Sequence, residues 1–325
     1  MRIDAHTHAQ PPRFLEALRD SDRYETAEDA AGHLVIKERG SRFLTITPQM
    51  HDAAQRVEEM DATGIDLQII SVTTPQVYFL AGQDCVDLTR HCNDYLAEIV
   101  QRYPDRFRAL ASLPLTASMD DTLAEFQRGL DELDMAGVII GANIDHRPID
   151  DPSFNPLYEE MNRRGTPMFI HPMVPAGAEV LNQYALAPLV GFMFDTTLAV
   201  ARLIFSGFFS RFPNINVLVG HLGGAIPYLA GRLDIGYRSY PDCQGIDQPP
   251  SEIMKRLYLD TVSFYEPALR CALETVGPEH IVFGSDYPHV IGDVKTAVQT
   301  IEHTTPTPAH AGILGDNAAR LFGIA

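Results

Sequence analysis

Residues 137–140 read Gly-Val-Ile-Ile, and this stretch decides the fold because apolar and polar positions do not alternate in it. A strand that is apolar at every position has both faces buried, which is typical of a parallel sheet covered by helices. The same pattern recurs along the chain. We identify eight short apolar runs, at residues 2–5, 67–72, 107–113, 137–140, 168–170, 215–219, 257–260 and 280–284.

Helical segments follow most of these predicted strands. Leu88, Cys92, Leu96 and Ile99, for example, recur at intervals of three or four residues and form one apolar helix face. Eight strand–helix units in succession predict an α/β fold, specifically a (β/α)8 TIM barrel. The alternative is a doubly wound open sheet, but no glycine-rich phosphate-binding motif follows any strand, so we favour the barrel.

An insertion at about residues 10–50 separates the first two predicted strands. Within it, residues 33–37 and 42–46 are rich in β-forming side chains and flank Gly40 and Ser41, which predicts a β-hairpin. Such a hairpin would cover the mouth of the barrel. Because no flexible linker or internal repeat interrupts the sequence, we expect one domain spanning residues 1–325.

The composition is globular, and the charge is strongly negative. Hydrophobic residues make up 45% of the chain, and 25 Lys and Arg against 43 Asp and Glu give a net charge of −18. This charge disfavours binding to nucleic acid or to an anionic membrane surface. The four cysteines form no C-x-x-C pair, and neither a signal-peptide pattern nor a long apolar span is present, so we expect a cytoplasmic protein.

The first predicted strand ends in His-Thr-His at residues 6–8. Alternate residues of a strand point to the same face, so both imidazoles can bind one metal ion. Three further candidates, His171, His221 and Asp286, follow other predicted strands. Strand ends of a (β/α)8 barrel converge on the rim that carries the active site. We therefore expect a metal site at this rim, rather than a set of unrelated capping or core residues.

Imidazole and carboxylate ligands suit a divalent cation, with zinc expected first and manganese or iron as alternatives. A two-metal site bridged by a modified lysine would need a lysine at a mid-barrel strand end. No lysine lies between Lys37 and Lys255. We therefore expect one metal ion.

Several motifs together resemble the amidohydrolase superfamily, in particular amidohydrolase family 2. They are most similar to its decarboxylase branch, typified by aminocarboxymuconate-semialdehyde decarboxylase. The resemblance extends over nearly the whole chain in the order of the family. The motifs are His-Thr-His at 6–8, RVEEMDATGID at 56–66, His-Pro at 171–172, GHLGG at 220–224, GSDYP at 284–288 and NAARLFG at 317–323.

The resemblance implies a role for each site residue. His6, His8, His171 and Asp286 are implied as the metal ligands. His221 is implied as the catalytic acid and base. We further expect Asp286 to position or share the proton that His221 transfers.

The resemblance also implies two substrate-binding arginines and a homodimer. An arginine of the decarboxylase branch binds a substrate carboxylate across the dimer interface, and Arg232 is the matching position. The insertion supplies another basic residue, for which Arg42 is the nearest candidate and Lys37 or Arg39 are alternatives.

The implied activity is metal-dependent, non-oxidative decarboxylation of a small aromatic or unsaturated carboxylic acid, which makes the protein a carboxy-lyase. A hydrolase or hydratase of a lactone, ester, amide or unsaturated acid is the alternative, because the same mononuclear site serves both chemistries. A barrel that binds a ligand without turnover is a third class. Met173 stands where the branch often has an aromatic residue, so the aminocarboxymuconate substrate itself is not implied.

Overall fold

The computed structural model describes residues 1–324. Its strands are short, as expected for a barrel whose strand ends carry loops. In chain order they are β1 (Ile3–His8), β2 (Glu25–Glu28), β3 (Leu34–Glu38), β4 (Ser41–Ile46), β5 (Leu67–Ser71), β6 (Phe107–Ala111), β7 (Gly137–Gly141), β8 (Asn143–Ile144), β9 (Arg147–Pro148), β10 (Met168–His171), β11 (Val217–Val219) and β12 (Leu257–Leu259).

Seven of these strands form one parallel sheet in the order β1-β5-β6-β7-β10-β11-β12. An eighth segment closes it. The amide of Val282 donates a hydrogen bond to the carbonyl of Leu259 at 2.9 Å, and the amide of Ala5 donates to the carbonyl of Phe283 at 2.9 Å. The predicted (β/α)8 barrel is confirmed by this topology and by the solved structures described below.

The sequence predicts a regular strand over residues 280–284. In the structure, this closing segment forms only isolated bridges instead. The amide of Phe283 donates to the carbonyl of Ile313, at 2.8 Å, instead of continuing a ladder. The backbone at Gly284 also lies so close to β1 that an added Cβ would be 2.8 Å from the Cβ of His6. This close approach brings the closing segment next to β1, the first strand of the sheet.

A β-bulge in β1 sets the direction of its histidines. Ile3 pairs with Leu67 before the bulge, and His8 pairs with Ser71 after it, so β1 contains one residue more than β5 over this distance. Because an extra residue reverses the alternation of side chains, His8 lies on the same face as Ile3, towards the barrel interior.

Helices cover the outside of the barrel, and the predicted helix with its apolar face at Leu88, Cys92, Leu96 and Ile99 is the third of them. They are α1 (Pro12–Asp20), α2 (Ala53–Thr63), α3 (Gly82–Arg102), α4 (Met119–Asp131), α5 (Asn155–Arg164), α6 (Phe192–Phe205), α7 (Phe208–Arg211), α8 (Ile226–Ser239), α9 (Pro250–Met254), α10 (Glu266–Val276), α11 (Val294–Thr304), α12 (Thr307–Ala311) and α13 (Asn317–Phe322).

The predicted hairpin in the insertion is formed by β3 and β4, and β2 extends it to a three-stranded antiparallel sheet, which we call the flap. Its apolar side packs into the core through Ile36, Phe43 and Leu44. The hydroxyl of Ser41 donates to the carbonyl of Ala178 at 2.6 Å, so the flap is attached to the loop that follows β10.

Within residues 1–324, one helical stretch, Ala187–Phe205, is long and apolar enough to cross a membrane by length and composition alone. Half of it is buried inside the protein. Some of its other apolar side chains, among them Phe194 and Leu198, are exposed.

Candidate active site

Side chains from distant parts of the chain converge at the C-terminal rim of the strands. His6, His171, His221 and Asp286 each place one ligand atom within 4.8 Å of the others. The Nε2 atom of His8 lies 3.1 Å from Nε2 of His6 and 3.4 Å from Oδ1 of Asp286. The structure therefore brings together all four predicted metal ligands and the predicted acid and base.

Three atoms of this cluster have no hydrogen-bond partner among residues 1–324. They are Nε2 of His171, Nδ1 of His221 and Oδ1 of Asp286, and all three are buried. A buried polar atom without a partner costs about 1–3 kcal/mol, so such atoms are rare unless something else satisfies them. Imidazole nitrogens and a carboxylate oxygen directed at one point match the ligand set of a divalent cation. The cluster is a divalent metal site.

Asp260 holds the first histidine of this cluster and was missed in the sequence analysis. Its Oδ2 atom lies 2.5 Å from Nδ1 of His6. The same carboxylate accepts backbone N–H bonds from His221 at 3.0 Å, Leu222 at 2.8 Å and Val262 at 3.0 Å. The signal was present, because Asp260 ends a predicted strand just as the other site residues follow theirs.

The other two histidines that are predicted to be metal ligands are oriented by hydroxyl groups. Nδ1 of His8 lies 3.2 Å from Oγ of Ser71, and Nδ1 of His171 lies 3.2 Å from Oγ1 of Thr74. These contacts leave the Nε2 atom of each ring facing the cluster. A partner on the second ring nitrogen fixes the orientation of a metal-binding histidine.

Burial and charge set the protonation of the cluster. Burial lowers the pKa of His6, but Asp260 and Asp286 outweigh this effect and raise it to about 10. Burial lowers the pKa of His8 to about 3. Burial raises the pKa of Asp286, but the neighbouring histidines, first His289, hold it well below its ordinary value. Without a bound cation, Asp286 is therefore ionised, which is the form that binds a cation, whereas His6 carries a proton that a cation would displace.

The turn after β11 has an unusual backbone. His221 and Leu222 adopt positive φ angles of 55° and 56°, a region that side chains other than glycine occupy rarely. Both of their amides donate to the carboxylate of Asp260. Asp286 also has a positive φ, of 62°. Backbone conformations of this kind occur preferentially at functional sites, where the surrounding contacts maintain them.

A cavity of about 740 Å³ lies above the cluster. His171, His221, Asp286 and His289 line its floor. The Nε2 atom of His289 lies 2.9 Å from Oγ1 of Thr73.

The flap contributes Arg42 to the cavity wall, whereas neither alternative, Lys37 or Arg39, lines it. The guanidinium of Arg42 donates to Oγ1 of Thr45, and its Nη2 atom is 3.9 Å from Asp29. Arg39 lies 3.6 Å from Glu179 on the outer surface.

Arg232 is placed differently. It is exposed on α8 and does not line the cavity of its own chain. Tyr228 and Ile235, on the same helix, are also exposed. The structure therefore does not bring Arg232 together with the other predicted site residues of the same chain.

A parallel barrel that carries a histidine and aspartate metal site at the C-terminal rim of its strands defines a metal-dependent barrel enzyme. This chain belongs to the amidohydrolase family, whose sequence model matches residues 3–324. The recognition of the family from its motifs is therefore confirmed.

The chain is similar to several decarboxylases. The 2-amino-3-carboxymuconate-6-semialdehyde decarboxylase of Dictyostelium discoideum is 31% identical, with 100% of this chain and 92% of that protein covered. The gamma-resorcylate decarboxylase of Rhizobium radiobacter is 29% identical, with 92% and 94% covered. The crystal structure of 5-carboxyvanillate decarboxylase from Sphingomonas paucimobilis matches with a TM-score of 0.86 and 27% identity, covering 100% of this chain and 99% of that one.

These relatives are carboxy-lyases, the enzyme class that the resemblance implied. The predicted position in the decarboxylase branch is therefore confirmed.

Proposed function

We propose that this protein is a metal-dependent, non-oxidative decarboxylase of a small aromatic or unsaturated carboxylic acid. The observation that carries the proposal is the position of His221. Its Nε2 atom lies 3.5 Å from Oδ2 of Asp286, at the floor of the cavity. Nδ1 of His221 has no partner among residues 1–324. A proton-transferring imidazole thus stands beside the metal site, in a chain whose relatives are decarboxylases.

His6, His8, His171 and Asp286 would hold the ion, which we propose to be zinc, with manganese or iron as alternatives. When bound, the ion supplies positive charge that stabilises negative charge developing on a substrate oxygen. Metal analysis of the purified protein distinguishes the three ions.

Decarboxylation breaks the bond between a ring or vinyl carbon and its carboxylate, and the carbon must then gain a proton. His221 would deliver this proton from Nε2, and Asp286 would share it. Arg42 would bind the substrate carboxylate from the cavity wall. Because the cavity wall is largely apolar, it would exclude water and destabilise the carboxylate relative to neutral CO₂.

The experiment is a comparison of two substrate panels with the metal-loaded protein. Release of CO₂ from salicylate, resorcylate and carboxyvanillate analogues is expected, with no hydrolysis of lactones, esters or amides. Hydrolysis without CO₂ release would contradict the proposal and support the alternative hydrolase. An absence of both reactions, with metal bound, would favour the third class, a barrel without turnover.

We further propose a homodimer that forms through α6 and α8. These helices pack together and expose Phe194, Leu198, Tyr228 and Ile235, of which Tyr228 is 82% exposed. Large exposed apolar patches mark interaction surfaces in soluble proteins. Arg232 lies on the same helix as two of these residues, so a second copy would receive it.

We also propose that the protein binds neither nucleic acid nor membranes and that it is cytoplasmic. The acidic charge opposes association with nucleic acid or an anionic membrane. The cytoplasmic location is supported by the four cysteines, all of which are unpaired in the described part of the chain.

A further inference from the structure

We propose that the substrate acid carries an apolar substituent, at least several carbons long, that lies against one side of the cavity. This inference rests on the proposed function for its chemistry, but the binding site can be tested without turnover. The side concerned is lined by Leu189, Phe192, Phe264, Val290 and Ile291, which we call the apolar wall.

The apolar wall adjoins the polar floor directly. Val290 and Ile291 follow His289 in sequence, and His289 is a floor residue. Phe192 begins α6, and Phe264 lies in the loop before α10. Three separate segments of the chain therefore contribute apolar side chains to one surface. A ligand that contacts the floor with its carboxyl group and ring would reach the apolar wall with a substituent.

Exposure along the apolar wall increases towards the mouth. Phe192 is buried, whereas Val290 is 67% exposed. Ile291 and Leu189 are also exposed. Side chains of this kind are hydrated when the cavity is empty, so an apolar group that covers them gains about 25 cal/mol per Å² of apolar surface removed from water.

The size of the cavity supports the same conclusion. Its volume of about 740 Å³ falls in the range, about 300–1,000 Å³, that accommodates drug-sized ligands. A benzoate ring with small substituents occupies only a small part of this space. A ring bound at the floor would leave the apolar wall uncovered.

The test uses two matched series of compounds. The substrates are salicylate and its 6-methyl, 6-propyl and 6-pentyl derivatives, and the binding probes are the corresponding products, phenol and its 3-alkyl derivatives. Affinity of the metal-loaded protein for the phenols, measured by calorimetry, is expected to increase about threefold per methylene group. The specificity constant kcat/KM for CO₂ release is expected to increase along the acid series.

A pair of valine substitutions locates the effect. Val290→Ser is expected to reduce the gain in affinity between phenol and 3-pentylphenol by about threefold or more. Val180→Ser is the control, because Val180 is 78% exposed and does not line the cavity. This control is expected to keep the full gain.

The outcomes separate the inference from the proposed function. Affinity that stays flat or falls from phenol to 3-pentylphenol would overturn the inference, even if CO₂ is released from salicylate. Affinity that increases without CO₂ release from any acid would support the apolar wall and contradict the decarboxylase. If Val290→Ser leaves the gain intact, or converts a dimer to a monomer in sedimentation, the wall is not a substrate surface and the inference fails.

Discussion

Nδ1 of His6 lies 2.5 Å from Oδ2 of Asp260, and both side chains are fully buried. The two residues are 254 positions apart in the chain, so this contact joins the first strand to the end of the seventh strand of the sheet. Asp260 fixes the ring so that Nε2 of His6 faces the metal site. It also accepts amide bonds from the turn that carries His221. One carboxylate thus positions both a proposed metal ligand and the proposed proton donor.

Asp260→Asn is expected to weaken metal binding about 10- to 100-fold, because an amide cannot hold the His6 imidazole as a carboxylate does. Competition with a calibrated chelator measures this affinity. Asp195→Asn is the matched control, since Asp195 is a buried carboxylate that accepts a backbone amide but contacts none of the proposed ligands. Equal metal affinity in the Asp260 variant and the wild type would contradict the role of Asp260.

His221→Ala is expected to retain the metal while turnover falls by about 10²- to 10⁴-fold, because the variant lacks the group that delivers the proton. Metal content and CO₂ release are measured on the same preparation. His303→Ala serves as the control, because the side chain of His303 is 68% exposed and does not line the cavity. Loss of the metal together with activity would instead identify His221 as a ligand.

Arg42→Gln is expected to raise KM by about tenfold or more, because a charge-assisted contact to a carboxylate contributes about 1.5–3 kcal/mol. Steady-state kinetics of CO₂ release give this value. The same substitution at Arg39, which lies on the outer surface, is expected to leave KM unchanged. A larger effect at Arg39 than at Arg42 would show that the wrong flap residue is assigned.

An equimolar, randomly exchanged mixture of Arg232→Ala and His221→Ala subunits is expected to recover about a quarter of wild-type activity, although each variant alone is inactive. Random mixing makes half of the dimers mixed, and one of their two sites then has an intact His221 and the partner's intact Arg232. The measurement is CO₂ release after subunits are exchanged. If mixed dimers form without recovering activity, Arg232 does not act across the interface.

The stability contributed by Asp195 is expected to fall as pH rises. Burial raises the pKa of Asp195 to about 6, although the amide of Met173 and the side chain of Asn143 partly oppose this. The folded protein therefore holds this proton more tightly than the unfolded chain, where the pKa is near 3.8. The contribution is present at low pH and is lost as pH rises through about 6.

In the metal-free protein, the free energy of unfolding of the wild type minus that of Asp195→Asn should fall by about 2 kcal/mol between pH 4.5 and 7.5. Urea titrations at the two pH values measure this difference. The contributions of the other titrating groups cancel, because they are the same in both proteins. A difference that stays constant, or that increases with pH, would show that Asp195 is already ionised throughout this range.

The sequence by itself determined the barrel, the family and the chemical nature of the site. Continuous apolar strands encode a sheet buried on both faces, and this pattern is local, so it can be read without the structure. The histidines and Asp286 could be found for a similar reason, because each follows a strand and strand ends of a barrel share one rim. The single-domain organisation stays a prediction, although the site itself draws on residues from His6 to Asp286.

Only the tertiary structure decided which neighbours complete the site. The bulge in β1 turns His8 to the barrel interior, yet no residue pattern marks it, because a bulge depends on the register between two strands. The role of Asp260 could not be identified in the same way, because it depends on a 2.5 Å contact with His6, at the other end of the chain. The apolar wall and the exposed position of Arg232 likewise follow from how loops and helices close around the barrel. Packing between segments that are remote in the chain fixes such distances. A sequence pattern shows only the periodicity within each segment.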